Sequence, residues 1–132
     1  MNWKFTGERP VYQQIMATIR GAILKGELPP GKKIPSVRDL AAEAQVNPNT
    51  MQRALTELER EGLLVSGGTS GRSVTQEQSI LSAMRDAALK ELARECAEKF
   101  MVFGLTPSQA AQLLLSLEEG ESENGKLCLT SK

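Results

Sequence analysis

The chain contains no histidine. That removes Ser–His and Cys–His nucleophile pairs, and any zinc site that relies on imidazole. Its two cysteines, Cys96 and Cys128, lie far apart and form neither a disulfide framework nor a zinc-ligand spacing. No glycine-rich phosphate loop follows a strand-like run. Nothing supports catalysis, and no cofactor or metal is expected. No apolar run approaches the roughly 20 residues of a membrane span, and the first residues lack a signal-peptide apolar core. The expectation is an intracellular, cytoplasmic protein without a membrane partner.

Net charge is also missing: 16 Lys and Arg balance 16 Asp and Glu over 132 residues. The balance is uneven along the chain. Residues 1–75 hold ten basic against seven acidic side chains, and residues 76–132 hold six against nine. A mildly basic head on an acidic tail is the asymmetry expected when one half meets nucleic acid. The length fits one domain or two small ones, and the 40% hydrophobic content is ordinary for a globular chain.

What is present centres on the stretch from Ile34 to Leu64, which reads as two short helices around a tight turn. Ser36 is a good N-cap with Asp39 three residues later, and Val37, Leu40, Ala41 and Ala44 then share one helical face. The second helix opens at Asn47-Pro48, a capping side chain followed by a proline whose missing amide costs nothing there. Met51, Ala54, Leu55 and Leu58 form its buried stripe, and Gly62 ends it. Opposite that stripe lie Asn49, Gln52, Arg53 and Thr56, none of them acidic. Amides, a hydroxyl and a guanidinium are the groups that meet base edges and phosphates, and recognition helices use their N-terminal residues to do so. A merely solvated polar face is the plain alternative. Its position one residue after a capped start favours a helix-turn-helix.

Around that unit the chain divides further. Residues 1–9 lack periodicity and form an arm whose Trp3 and Phe5 can pack against the body. A first helix begins near Pro10, with Tyr12, Ile15, Ile19 and Ile23 as its core stripe and Gly26 as its end. Leu28-Pro29-Pro30-Gly31 is a turn leading to Lys32 and Lys33. Lys33 and the cap Ser36 are counted with the DNA-contacting set. After Gly62, Leu63–Val65 and Arg72–Thr75 are two short strands around a glycine-rich loop, a hairpin that makes a wing. Arg72 stands where the loop rejoins the strand, and an arginine there can enter a narrow minor groove.

Beyond the wing, Leu81, Met84, Ala88, Leu92, Cys96, Phe100 and Phe103 advance at about 3.7 residues per step, a helical stripe. The helix from Gln76 to Phe103 is roughly 40 Å long. Gly104 ends it, and Thr106-Pro107 starts another, apolar around more than half its circumference from Ala110 to Leu117. A helix so apolar needs more than one covering surface. A second subunit is therefore expected, with residues 76–118 as dimerisation domain and 119–132 as an acidic, frayed tail. Cys96 falls on the stripe as a small core residue, and Cys128 is incidental.

These residues resemble the GntR family of transcription regulators, in the branch with a very short C-terminal part often called YtrA-like. The likeness is carried by PVYQQI at 10–15, GELPPGKKIPSVRDLA at 26–41, VNPNT at 46–50, RALTELEREGLL at 53–64 and GRSV at 71–74. It implies a winged helix-turn-helix homodimer on double-stranded operator DNA with palindromic sequence, usually as a repressor. It also implies that Arg38, the helix start at Asn47, Asn49 and Thr50, and the wing touch DNA. Two positions depart from the pattern. Many relatives carry an arginine that reads guanine where this chain has Gln52, and the wing tip from Gly67 to Ser70 is small where basic residues are common.

The competing expectation is a winged-helix protein-interaction module without DNA binding, which has no reason to keep the recognition face free of acid. A ligand-sensing receptor is disfavoured by size, since about 43 residues in two helices hardly enclose a pocket of several hundred Å³. Any effector would sit between subunits or near the hinge at Val74–Gln78.

Overall fold

The computed structural model describes residues 1–123. It is mainly helical, with five helices and one two-stranded antiparallel sheet. Two compact units divide it, Met1–Arg85 and the chain from Asp86 onward.

Three helices build the first unit. α1 (Val11–Leu24) turns Ile15, Ile19 and Ile23 inward. α2 (Val37–Ala44) starts where the Ser36 hydroxyl accepts the Asp39 amide at 3.1 Å, and it buries Leu40, Ala41 and Ala44. Gln45 ends it in the left-handed region at φ 59°. That reverses the chain in three residues, so α3 (Pro48–Arg60) begins almost at once. Asn47 caps α3 by accepting the Asn49 amide at 2.7 Å, and Pro48 occupies the first turn without losing a bond. Met51, Ala54, Leu55 and Leu58 are fully buried against the other two helices.

The end of α3 depends on Gly62. Its φ of +87° closes the helix with Leu63 N donating to Leu58 O at 3.0 Å. Any Cβ at this position would stand 2.9 Å from Ile80 Cδ1. The backbone conformation therefore demands glycine, and a Cβ would in addition have to displace the end of the Ile80 side chain.

The wing follows as β1 (Leu64–Ser66) and β2 (Arg72–Val74), with Leu64 opposite Val74, Val65 opposite Ser73 and Ser66 opposite Arg72. Each strand lies within a residue of its expected bounds, and a short 3-10 turn at Gly68–Ser70 forms the tip. Sequence patterning treats residues 28–33 as a turn only. In the structure the segment from Gly31 to Ile34 covers the outer edge of β2: Gly31 N donates to Val74 O at 2.8 Å, Val74 N to Lys32 O at 2.9 Å, and Ile34 N to Arg72 O at 3.0 Å. Three-residue strands gain little on their own, and this third edge fixes the wing to the entry of α2.

The arm is docked. Trp3 and Phe5 stack at 6.3 Å between ring centroids and pack against the core, and the Trp3 indole donates to Glu43 of α2 at 2.8 Å. Gln14, buried on α1, holds the arm by its backbone. Its Oε1 accepts the Thr6 amide at 2.8 Å, while its Nε2 donates to Thr6 O and Arg9 O at 2.8 and 2.7 Å. Replacing Gln14 by Ala removes all three bonds, each contributing about 0.5–1.5 kcal/mol. The expected result is faster amide exchange at Thr6 and a red-shifted Trp3 emission. Unchanged exchange at Thr6 would show that the aromatic pair alone holds the arm.

α4 (Gln78–Met101) starts within the first unit, where Ile80, Leu81 and Met84 pack on its core. Sequence patterning sets a boundary after Thr75. The compact unit instead extends to Arg85, and it includes these three side chains packed against its core.

In the second unit, Gly104 (φ 79°) turns the chain, with Leu105 N donating to Phe100 O at 3.2 Å. Thr106 and Gln109 then cap α5 (Pro107–Glu123) reciprocally, at 2.9 and 3.1 Å. The helix continues through Glu123, so the first five residues of the expected tail are helical. Glu118 and Glu119 are good helix formers and prolong it. The rest of that tail, including Cys128, lies outside the described residues. Cys96 is half-buried on α4. Among the described residues, no helix is long and apolar enough to cross a membrane, and no cluster of acidic or cysteine side chains is placed to hold a metal.

Candidate nucleic-acid interface

The expected recognition surface is assembled on α3. Asn49, Gln52, Arg53 and Thr56 are all exposed, on the side opposite the buried Met51 and Leu55, while Thr50 is half-buried at the flank. Asn47 and Ser36 are exposed at the starts of their helices, with side-chain oxygens committed to capping. Arg38 is exposed on the first turn of α2, and Lys33 is exposed on the segment that pairs with β2.

Four side chains of the expected set, Gln52, Thr56, Arg53 and Arg72, already lie against other side chains. Gln52 Nε2 donates to Thr56 Oγ1 at 3.1 Å, one turn along the same helix. The Arg53 guanidinium sits over the Tyr12 ring, 3.8 Å from its centroid. Arg72 lies 3.3 Å from Glu59, with Nε buried and its side chain only 19% exposed. The Arg72–Glu59 approach is an ion pair without hydrogen-bond geometry. It ties wing to helix, so Arg72 is held against Glu59 and mostly covered rather than extended as a free arm.

Sequence reasoning missed Tyr12 and Glu59 as parts of this site. Tyr12 reads as the first residue of α1's core stripe, and Glu59 as one acid among three near the end of α3. The helix is braced again at its far end, where Arg20 of α1 donates to both oxygens of Glu61 at 2.8 and 2.6 Å. Such a pair is worth up to about 1 kcal/mol at the surface, and its geometric effect is to fix α3 along its length.

A short, capped helix presenting amides, a hydroxyl and an unneutralised guanidinium, beside a hairpin, is a winged helix-turn-helix. The family described as "Bacterial regulatory proteins, gntR family" matches residues 11–74. An uncharacterized HTH-type transcriptional regulator, YhcF of Bacillus subtilis, is 31% identical over 120 residues, covering 91% of this chain and 99% of its own. The HTH-type transcriptional repressor YtrA of the same organism is 49% identical over 55 residues, 42% of either chain. Among solved structures, a GntR family transcriptional regulator from Listeria monocytogenes superposes with TM-score 0.76 at 27% identity, over 85% of this chain and 98% of that one. The DNA-binding domain of AraR in complex with operator ORX1 superposes at 0.53 with 29% identity, over 57% and 96%.

The chain belongs to the GntR family, in its YtrA-like branch. It is a transcription regulator with a DNA-binding domain, and not an enzyme.

Proposed function

We propose that the chain is a homodimeric repressor that acts in the cytoplasm by binding a palindromic operator. The acid-free face of α3, exposed immediately after a capped start, carries the DNA reading. Neutral amides at Asn49 and Gln52 can pair bidentately with adenine N6 and N7. Arg38, Arg53, Arg72 and the Lys32–Lys33 pair supply positive charge for phosphates. Repression is the role named for the relative YtrA, and a complex with operator is the state of AraR's DNA-binding domain.

The dimer reading rests on apolar surface outside the first unit. Leu89 and Leu92 of α4 are 50% and 60% exposed, and Leu113, Leu114, Leu115 and Leu117 of α5 are each about half exposed. A second copy with the same surface is the simplest cover, and two-fold symmetry then matches a palindrome.

Asn49 separates reading from positioning. Its replacement by Ala is expected to cost about 1–3 kcal/mol on the operator and little on random duplex. Log K on the operator should fall by roughly 0.9 per released counterion against log salt, with about 6–10 released by two subunits. Anisotropy titrations on operator and scrambled duplexes at two salt concentrations measure both. Equal weakening on the two duplexes would mean this face is not in the groove. A flat salt dependence would favour the protein-interaction module.

A further inference from the structure

We infer that Tyr12 is a positioning residue for Arg53, an aromatic rest that holds this guanidinium ready for DNA without spending its donors; the inference rests on the DNA-binding reading above. Among the described residues Arg20, Arg60, Arg72 and Arg94 each lie beside a glutamate, at Glu61, Glu57, Glu59 and Glu91. Arg53 has no acidic partner and no hydrogen bond among those residues, and its guanidinium lies 3.8 Å from the centre of the Tyr12 ring.

The difference in chemistry is direct. An ion pair consumes N–H donors and cancels charge. A ring face attracts the cation through its quadrupole and leaves the in-plane N–H groups unspent. The ring is itself fixed: Tyr12 is half-buried in the first turn of α1 and packs against the core. A free arginine on a helix surface samples many rotamers, and ordering it on DNA would weaken binding. Seated on Tyr12, Arg53 has lost that freedom before DNA arrives. It stands beside Gln52 and one turn from Asn49 and Thr56, on the exposed face of α3. The ligand chemistry is a pair of acceptor oxygens or an O6/N7 edge on duplex DNA.

The test uses the full-length chain and a duplex recovered from a random-sequence library by the wild-type protein, with its scrambled version alongside. In the free protein, the Arg53 δ-methylene protons should show an upfield ring-current shift by NMR, retained in Tyr12→Phe and lost in Tyr12→Leu. Tyr12→Phe should bind within about twofold of wild type, and Tyr12→Leu about three- to tenfold more weakly. In an Arg53→Ala background, Tyr12→Leu should cause no further loss. Arg53→Lys, an exposed change that keeps the charge, should lose affinity as Tyr12→Leu does, because an ammonium has no planar fork to lie on the ring while its in-plane donors meet two acceptors. Loss on both duplexes assigns Arg53 to phosphate, and loss on the selected duplex alone assigns it to a base edge; either supports the inference. Independent, additive effects at Tyr12 and Arg53 would overturn it. So would a loss in Tyr12→Phe equal to that in Tyr12→Leu, because the hydroxyl would then be the active group. A wild-type chain that selects no sequence and binds no duplex would sink the DNA-binding reading and the inference with it. The ring-current shift would in that case still register the Tyr12–Arg53 stack.

Discussion

Cutting the chain after Arg85 is expected to give a folded monomer that has lost about 10²–10⁴-fold of the full chain's operator affinity. In the proposed dimer two joined recognition helices would bind the second half-site as an intramolecular event, and that advantage would disappear with the joint. The cut belongs at Arg85 because Ile80, Leu81 and Met84 are part of the first unit's packing. A cut at Thr75 would strip those side chains away and confuse unfolding with loss of dimerisation. The full-length chain carrying Leu114→Glu and Leu117→Glu provides the matching experiment. Both leucines are about half exposed in the protomer, so the charges should leave the protomer intact and prevent association. Sedimentation equilibrium at micromolar concentration reports the mass, and anisotropy on the operator reports the affinity. A charged variant that is still dimeric and binds with wild-type affinity would place the partner surface elsewhere.

Leu55→Ala should be the most damaging single change in the helix-turn-helix, destabilising the first unit by about 2–5 kcal/mol. Leu55 is 0% exposed, and so are its stripe neighbours Met51, Ala54 and Leu58. α3 packs against both α1 and α2, so the cavity would open at the meeting point of three helices, where collapse is resisted from every side. A domain of this size has only about 5–15 kcal/mol in total. The melting midpoint should therefore fall by about 10 °C or more. Thermal unfolding followed by circular dichroism tests this, and a shift of only a degree or two would mean the helices do not meet over Leu55.

The helix-turn-helix was legible because its signals are local. Ser36 and Asn47 cap the helices that the sequence assigns to them, and the apolar spacing from Met51 to Leu58 states which side faces inward. The wing followed from a glycine-rich loop between the apolar run Leu63–Val65 and the returning segment Arg72–Thr75. What sequence could not supply was pairing across distance. Nothing near Lys33 announces hydrogen bonds to β2, and nothing near Gln14 announces that one buried amide will clamp residues Thr6 and Arg9. Arg72 illustrates the same limit at the candidate site. Its position in the hairpin was readable, while its ion pair with Glu59 depends on how the wing folds back on α3. Periodicity likewise located α4 but could not say that its first two turns belong to the preceding core.

Gly62 touches no part of the recognition face, yet its surroundings give it a genetic signature. A glycine codon mutates by single-base changes to Ala, Val, Ser, Cys, Asp, Glu, Arg or Trp. Every one of these brings a Cβ to a backbone at φ +87° and within 2.9 Å of Ile80. In a screen for loss of regulation, nearly any missense change at codon 62 should therefore score. Codons for the exposed residues of the proposed DNA-contacting face should instead yield a graded spectrum, because most replacements there would remove one contact and leave the fold alone. A cluster of alleles at position 62 would mark the joint where the end of α3 seats Ile80, and would say nothing about bases read.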